Sequence, residues 1–149
     1  EAIMYHSFQR YGPRRANDHR RSNGVMVATE TGEAKTYALV NLSVRGVMFV
    51  KPQDPIYAGQ IGGENSRGND MGVNVVKNKA FSNVRESNKE TTVVLDAPRQ
   101  LSLEAALEYI ESDELVEITP TSIRLRKRLL DEGARKRAER SGRSRAAAV

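Results

Sequence analysis

Apolar and polar residues follow one another along this 149-residue chain in short patterned runs, punctuated by glycine, proline and asparagine. Residues 2–11 alternate loosely, with Ile3 and Tyr5 on one side. They read as a strand that Gly12-Pro13 ends, because proline cannot donate to a ladder. Residues 14–23 offer nothing worth burying and read as a linker. Val25, Val27 and Ala28 begin a second strand. Ala34, Tyr37, Ala38, Val40, Leu42 and Val44 then recur at three- and four-residue steps. That is a helical period, closed by Arg45-Gly46. Residues 47–50 and 56–61 read as strands, the second ended by Gly62-Gly63, since glycine pairs usually mark turns.

From residue 64 to 91 the patterning fades, apart from an apolar stretch at 73–76. A loop of that length inside a domain is usually functional or disordered. Residues 92–95 resume as a strand. Ser102 then caps the clearest helix, with Leu103, Ala106, Leu107 and Ile110 on one stripe. Residues 115–119 and 123–128 alternate as two further strands about Pro120-Thr121-Ser122. Ile123 and Leu125 face in, while Arg124 and Arg126 face out, with Lys127 and Arg128 beside them. After Leu129 the pattern suits a short helix, and residues 141–149 read as a frayed end. Short strands with two or three helices predict an α+β, mainly β fold: a small barrel-like β-domain with a long protruding loop.

Composition removes several functions. There is no cysteine, hence no disulfide, thiolate metal site or cysteine nucleophile. His6 and His19 stand 13 positions apart without a carboxylate at ligand spacing. Gly62-Gly63-Glu64-Asn65-Ser66-Arg67-Gly68 is rich in glycine but lacks the lysine of a phosphate loop. Glu111, Asp113 and Glu114 cluster at a helix end and read as solvated surface. No apolar run approaches the roughly 18 residues a membrane helix needs. The chain starts without methionine, in what reads as mid-strand, and is expected to be a fragment.

Charge changes the picture more than composition does. The net charge of +5 divides unevenly: +3 over residues 1–23, −5 over 24–121 and +7 over 122–149. An acidic body with basic ends favours contact with a polyanion. Arg124 and Arg126 lie two strand residues apart, about 7 Å, and their guanidinium forks suit phosphate oxygens. The loop adds Arg67, Lys77, Lys79, Arg85 and Lys89, six asparagines, and Phe81 as a platform for an unpaired base. A structural or protein-interaction domain with solvated basic ends is the alternative reading.

At these residues the chain becomes recognisable. Ser66-Arg67-Gly68-Asn69-Asp70, Val73-Asn74, Asn83-Val84-Arg85, the run from Leu101 through Ile110, Asp113 through Pro120 and Ser122 through Arg128 resemble the C-terminal domain of the TypA/BipA ribosome-associated GTPases. The likeness covers roughly residues 3–128 and departs at Ala80, where relatives carry lysine, and at Glu86-Ser87-Asn88. It implies that residues 1–11 are the last strand of a preceding elongation-factor-like domain, 12–23 a linker, 24–130 the family-specific domain and 131–149 a basic, partly disordered tail. It further implies a part in translation regulation, ribosome assembly and stress response. The implied partners are the ribosome, large-subunit rRNA and A-site tRNA, met as a monomer, away from membranes, in the bacterial cytoplasm or plastid stroma. By position, Ser66, Arg67, Asn69, Asp70, Asn74, Lys77, Lys79, Asn83 and Arg85 inherit the role of an RNA-contacting loop, and Arg124, Arg126, Lys127 and Arg128 that of a basic strand. The GTPase domain is missing from these residues. GTP and Mg²⁺ would therefore belong to the full-length parent, no cofactor is expected here, and no catalytic residue is assigned.

Overall fold

A strand buried on both faces organises the domain. The computed structural model describes residues 5, 7, 8, 10, 21–78 and 95–146, the last five of these by backbone alone. In β1 (Val25–Ala28) every side chain is 2% exposed or less. Successive strand residues point to opposite faces, so burial of all four requires a packed layer on each side. Met26 and Ala28 join Leu39, Met48, Val50, Ile56, Val73 and Val75 on one side. Val25 and Val27 join Ile61, Ala106 and Leu125 on the other. The sheet is thus sandwiched between two helices, each of which sends a small number of side chains into the core.

The first of these helices, α1 (Thr36–Ser43), buries Ala38 and Leu39. Its exposed side includes Tyr37, and Val44 at its C-cap is 83% exposed, so only part of the expected stripe faces inward. Before it lies β2 (Gly32–Glu33), which pairs with β4 (Pro55–Ile56) as a two-stranded ribbon. After it come β3 (Gly46–Met48), β5 (Gln60–Asn65) and β6 (Met71–Val73). The second helix, α2 (Leu103–Tyr109), is capped by Ser102, whose Oγ accepts from the Ala105 amide at 3.2 Å. Ala106 faces the core beside Leu101, Tyr109 and Ile110, whereas Leu107 turns out to solvent. The chain ends in the antiparallel hairpin β7 (Glu114–Ile118) and β8 (Ile123–Lys127), followed by α3 (Glu132–Ala146).

Among the described residues the main sheet has six strands in the order β6-β1-β5-β8-β7, with β3 also paired to β5. It is α+β and mainly β, as expected, but open rather than closed into a barrel. β6 runs parallel to β1 and the other pairings are antiparallel. β5 is the hub. One of its edges carries β1, while the other carries β8 at Gln60 and Ile61 and β3 from Gly63 to Asn65.

This hub corrects the sequence reading. The strand runs through Gly62-Gly63 instead of stopping there, and the pair is neither a turn nor an anion nest. Glycine is needed for close approach: a Cβ on Gly63 would lie 2.6 Å from the Val47 carbonyl oxygen. The C-terminal reading also changes. Helix α3 continues through residue 141 to Ala146, where a frayed end was expected. The expected strands at 2–11 and 92–95 fall largely outside the described residues.

Candidate nucleic-acid interface

The turn at residues 66–70 is exposed at every position, yet its backbone is tightly held. Asn65, only 3% exposed, closes it from beneath. Its amide donates to the Asn69 carbonyl at 2.7 Å and its Oδ1 accepts from the Arg67 amide at 3.3 Å. The Arg67 carbonyl accepts from the Gly24 amide at 2.7 Å, and the Ser66 amide donates to Arg45 at 2.8 Å. Ser66, Arg67 and Asn69 therefore project from a preorganised turn. Lys77 is exposed further on. Asn74, by contrast, uses its Oδ1 to accept from the Val76 amide at 3.0 Å and shapes the chain.

Asp70 also has internal work. Its Oδ1 accepts from the Val25 amide at 2.9 Å, and its Oδ2 is ion-paired with Lys127. Lys127 in turn is 2% exposed and sits on the inner side of β8 with Leu125. It reaches Asp113 at 2.8 Å and Glu114 at 2.9 Å. Glu114 is itself 2% exposed and receives a bidentate pair from Arg21, both bonds 2.9 Å long. The expectation that Lys127 belongs to an outward basic ladder is therefore corrected. Strand parity places it with Ile123 and Leu125, and three carboxylates hold it there. Glu114 likewise is an interior anchor and no part of a solvated acidic cluster.

Burying charge costs several kcal/mol per ion unless partners replace the lost water. Here the partners suffice. Burial opposes ionisation of Glu114, but hydrogen bonds from Arg21 and Lys127 outweigh it and hold the carboxyl below its ordinary range. Burial likewise disfavours the Lys127 ammonium, and Asp113, Asp70 and Glu114 more than compensate, raising it above its ordinary value. Arg21 follows the same pattern, with Glu114 overcoming its desolvation. It also lies over the Tyr109 ring at 4.6 Å, and Phe49 meets that ring edge-on at 5.6 Å.

Arg21 was invisible in the sequence, lost in a polar stretch that reads as linker. Nothing in the linear pattern marks it, because its partners lie 88 and 93 residues away. Its contacts seat the end of that stretch on the domain.

On the outer side of β8, Arg124 and Arg126 stand half-exposed, as the alternation predicts. Arg124 approaches Glu117 at 3.8 Å across the hairpin, and Glu117 also accepts from the Tyr57 hydroxyl. Burial and that carboxylate push Tyr57 up to about 12. Arg126 makes no ion pair among the described residues, and Arg128 is exposed just past the strand. Lys79, Asn83 and Arg85, together with Phe81, lie outside the described residues. Among the described residues, no three His, Asp or Glu side chains are arranged to hold a metal ion. Asp70, Asp113 and Glu114 converge on an ammonium instead. No helix in that set is long and apolar enough to cross a membrane.

The arrangement is a rigid platform with two cationic outlets. Arg67, with Ser66 and Asn69, leaves from one turn, and Arg124, Arg126 and Arg128 leave from the hairpin. The Lys127 cluster ties the two together, since Asp70 ends the turn and Lys127 ends β8. Such groups suit phosphate and sugar contacts, which orient a nucleic acid without reading its bases.

Residues 23–132 match the TypA/BipA C-terminal domain. A large ribosomal subunit assembly factor BipA from Haemophilus influenzae is 44% identical over 140 residues, which is 93% of this chain and 23% of that protein. The Synechocystis protein of the same name is 50% identical over 127 residues, 85% of this chain and 21% of the relative. The Bacillus subtilis protein is 43% identical over 137 residues, 91% of this chain and 22% of the relative. The chain thus spans under a quarter of the length of these relatives. The family match spans residues 23–132, well over half of the chain, and the chain belongs to the TypA/BipA C-terminal domains.

Proposed function

We propose that this domain docks its parent protein onto the large ribosomal subunit by contacting rRNA, near the A site and within reach of A-site tRNA. The supporting observation is the pairing of two cationic outlets, the turn at 66–70 and the outer side of β8, through one buried cluster centred on Lys127. A docking module must present charge at fixed spacing, and that cluster supplies the rigidity. Relatives at 43–50% identity carry the name large ribosomal subunit assembly factor, which points to the same partner.

In this reading Ser66, Arg67, Asn69 and Lys77 touch RNA, along with Lys79, Asn83 and Arg85. Arg124, Arg126 and Arg128 grip phosphates. Asp70, Asn74 and Lys127 act as positioning residues that keep those groups in place. Residues 1–11 complete a preceding domain, residues 24–130 form the docking domain, and GTP with Mg²⁺ belongs to a GTPase domain elsewhere in the parent. Arg21, near the end of the 12–23 linker, is anchored on Glu114, so the parent's preceding domain joins a fixed point.

Co-sedimentation with purified large subunits across a salt series tests this. Binding that weakens steeply with salt, and weakens further in Arg124→Gln/Arg126→Gln, supports it. Absence of binding, or binding indifferent to salt, favours a domain that only positions its parent.

A further inference from the structure

Helix α3 is unlike α1 and α2. Over its 15 residues it carries six Arg and Lys against Glu132 and Glu139, a net charge of +4. It holds no apolar residue larger than alanine. An ordinary surface helix has an apolar stripe to bury, and this one has none. Its first turn is nevertheless well tied, through a cap and through bonds to the residues just before it. The Asp131 carboxylate accepts from the Ala134 amide at 2.6 Å, as a helix cap does. Arg135 donates to the carbonyls of Leu129 and Leu130 at 2.9 and 2.6 Å, and Lys136 pairs with Glu132 at 2.6 Å. From Lys136 to Ser141 every residue is exposed. The helix leaves the domain as an arm, about 22 Å long at 1.5 Å per residue.

We infer that α3 is an arm that grips the phosphate backbone of an RNA helix through Lys136, Arg137 and Arg140. The inference rests on the docking reading above and extends it to a surface outside the loop and the strand. Arg140 lies four residues after Lys136 and three after Arg137, so the three share a side of the helix, with neighbours about 5–6 Å apart. Arg140 has no ion pair among the described residues, and Arg137 only a long contact of 3.9 Å to Asp131. Like charges at this spacing cost a helix a few tenths of a kcal/mol per pair, and a polyanion removes that cost.

Charge and the absence of apolar side chains together choose the occupant. A bilayer surface calls for leucine or aromatic residues to insert, and a protein interface for aromatic or aliphatic anchors. α3 provides neither. Guanidinium forks without apolar anchors suit phosphate oxygens, contacted by shape and charge and not by base sequence.

The test compares the 149-residue chain with its Lys136→Gln/Arg137→Gln/Arg140→Gln variant, glutamine preserving helix propensity. Each is titrated with a short RNA duplex over a salt series. The expected result is a plot of log affinity against log salt that is shallower by about 2–3 in the variant, one unit or slightly less per lost phosphate contact. The far-UV helical signal of the native chain should rise when the duplex is added. An unchanged slope in a variant of equal helicity overturns the inference, and so does a native chain that ignores the duplex. Equal loss of binding to phosphatidylserine vesicles would overturn the assignment to RNA. Large-subunit sedimentation separates the two proposals. If the variant sediments like the native chain, docking stands and the arm falls. If neither sediments but the duplex slope still drops, the arm stands and docking falls.

Discussion

Lys127 Nζ lies 2.9 Å from Glu114 Oε1, with 3% and none of the two side chains open to solvent. Glu114 serves two cations while Lys127 has three carboxylates, so the two residues are not equally replaceable. Glu114→Leu strands Arg21 and Lys127 together and is expected to cost about 4–5 kcal/mol. Lys127→Met leaves Glu114 its bidentate Arg21, and is expected to cost about 3 kcal/mol, the lower end for breaking a buried pair. Urea unfolding of the two variants should give that order. The reverse order would show that the cluster depends more on the ammonium than on the Glu114 carboxylate.

The same pair fixes a pH window. Glu114 has a folded value below the ordinary 4.5, so its contribution is complete above 4.5 and disappears as pH falls through the folded value. Lys127 is raised above the ordinary 10.5, so its contribution is complete below 10.5 and disappears only as pH climbs through the higher folded value. Stability arising from this pair should be flat between those limits and fall on the acid side. Urea midpoints followed from neutral to acid pH should drop in the native chain and drop less in Glu114→Gln. Parallel acid limbs in the two proteins would place the titrating group elsewhere.

Gly63→Ala tests the hub strand. The added methyl would meet the Val47 carbonyl oxygen at 2.6 Å and the Met48 Cα at 3.2 Å, so β3 must move off β5. A loss of about 1–3 kcal/mol is expected, the usual cost of overpacking a close-packed interior. Gly62→Ala is the control, because its methyl would find only ordinary contacts, the nearest at 3.5 Å from Ile56. Thermal melts of the two variants should separate clearly.

Arg124→Gln/Arg126→Gln probes the outer side of β8 without touching its inner side. Folding should change little, since both side chains are half-exposed and Arg124 makes only a 3.8 Å contact. The salt dependence of large-subunit binding should flatten by about 1–2, one phosphate contact for each lost arginine at most. Arg67→Gln should act in the same direction by about half as much. Identical slopes in all three proteins would remove both outlets from the contact surface.

What the sequence made legible was local. The cap at Ser102, the hairpin of β7 and β8, and the outward Arg124 and Arg126 depend on neighbours within a few residues, and all appear as expected. Gly62-Gly63 was misread because its reason is distant: the Val47 carbonyl that crowds it belongs to another strand. Lys127 is the most instructive case. Its odd-numbered position put it with Ile123 and Leu125, but its charge argued for solvent. Parity prevailed because Asp70, Asp113 and Glu114 come together only in the fold. Arg21 and the length of α3 had no signal of this kind, one lying in a polar stretch and the other lacking any apolar period.

The position of β8 against β5 has a consequence for synthesis. β5 ends at Asn65, but the strand that pairs with its Gln60–Ile61 end is not complete until Lys127. A chain emerging from the ribosome must therefore carry an unsatisfied strand edge, and an uncompensated Arg21, while some sixty further residues are made. Contacts so distant in sequence slow folding, since loop closure precedes any reward from them. The domain matures only when its final hairpin arrives, and a nascent chain halted before Glu114 would offer its open edge to whatever stands nearest.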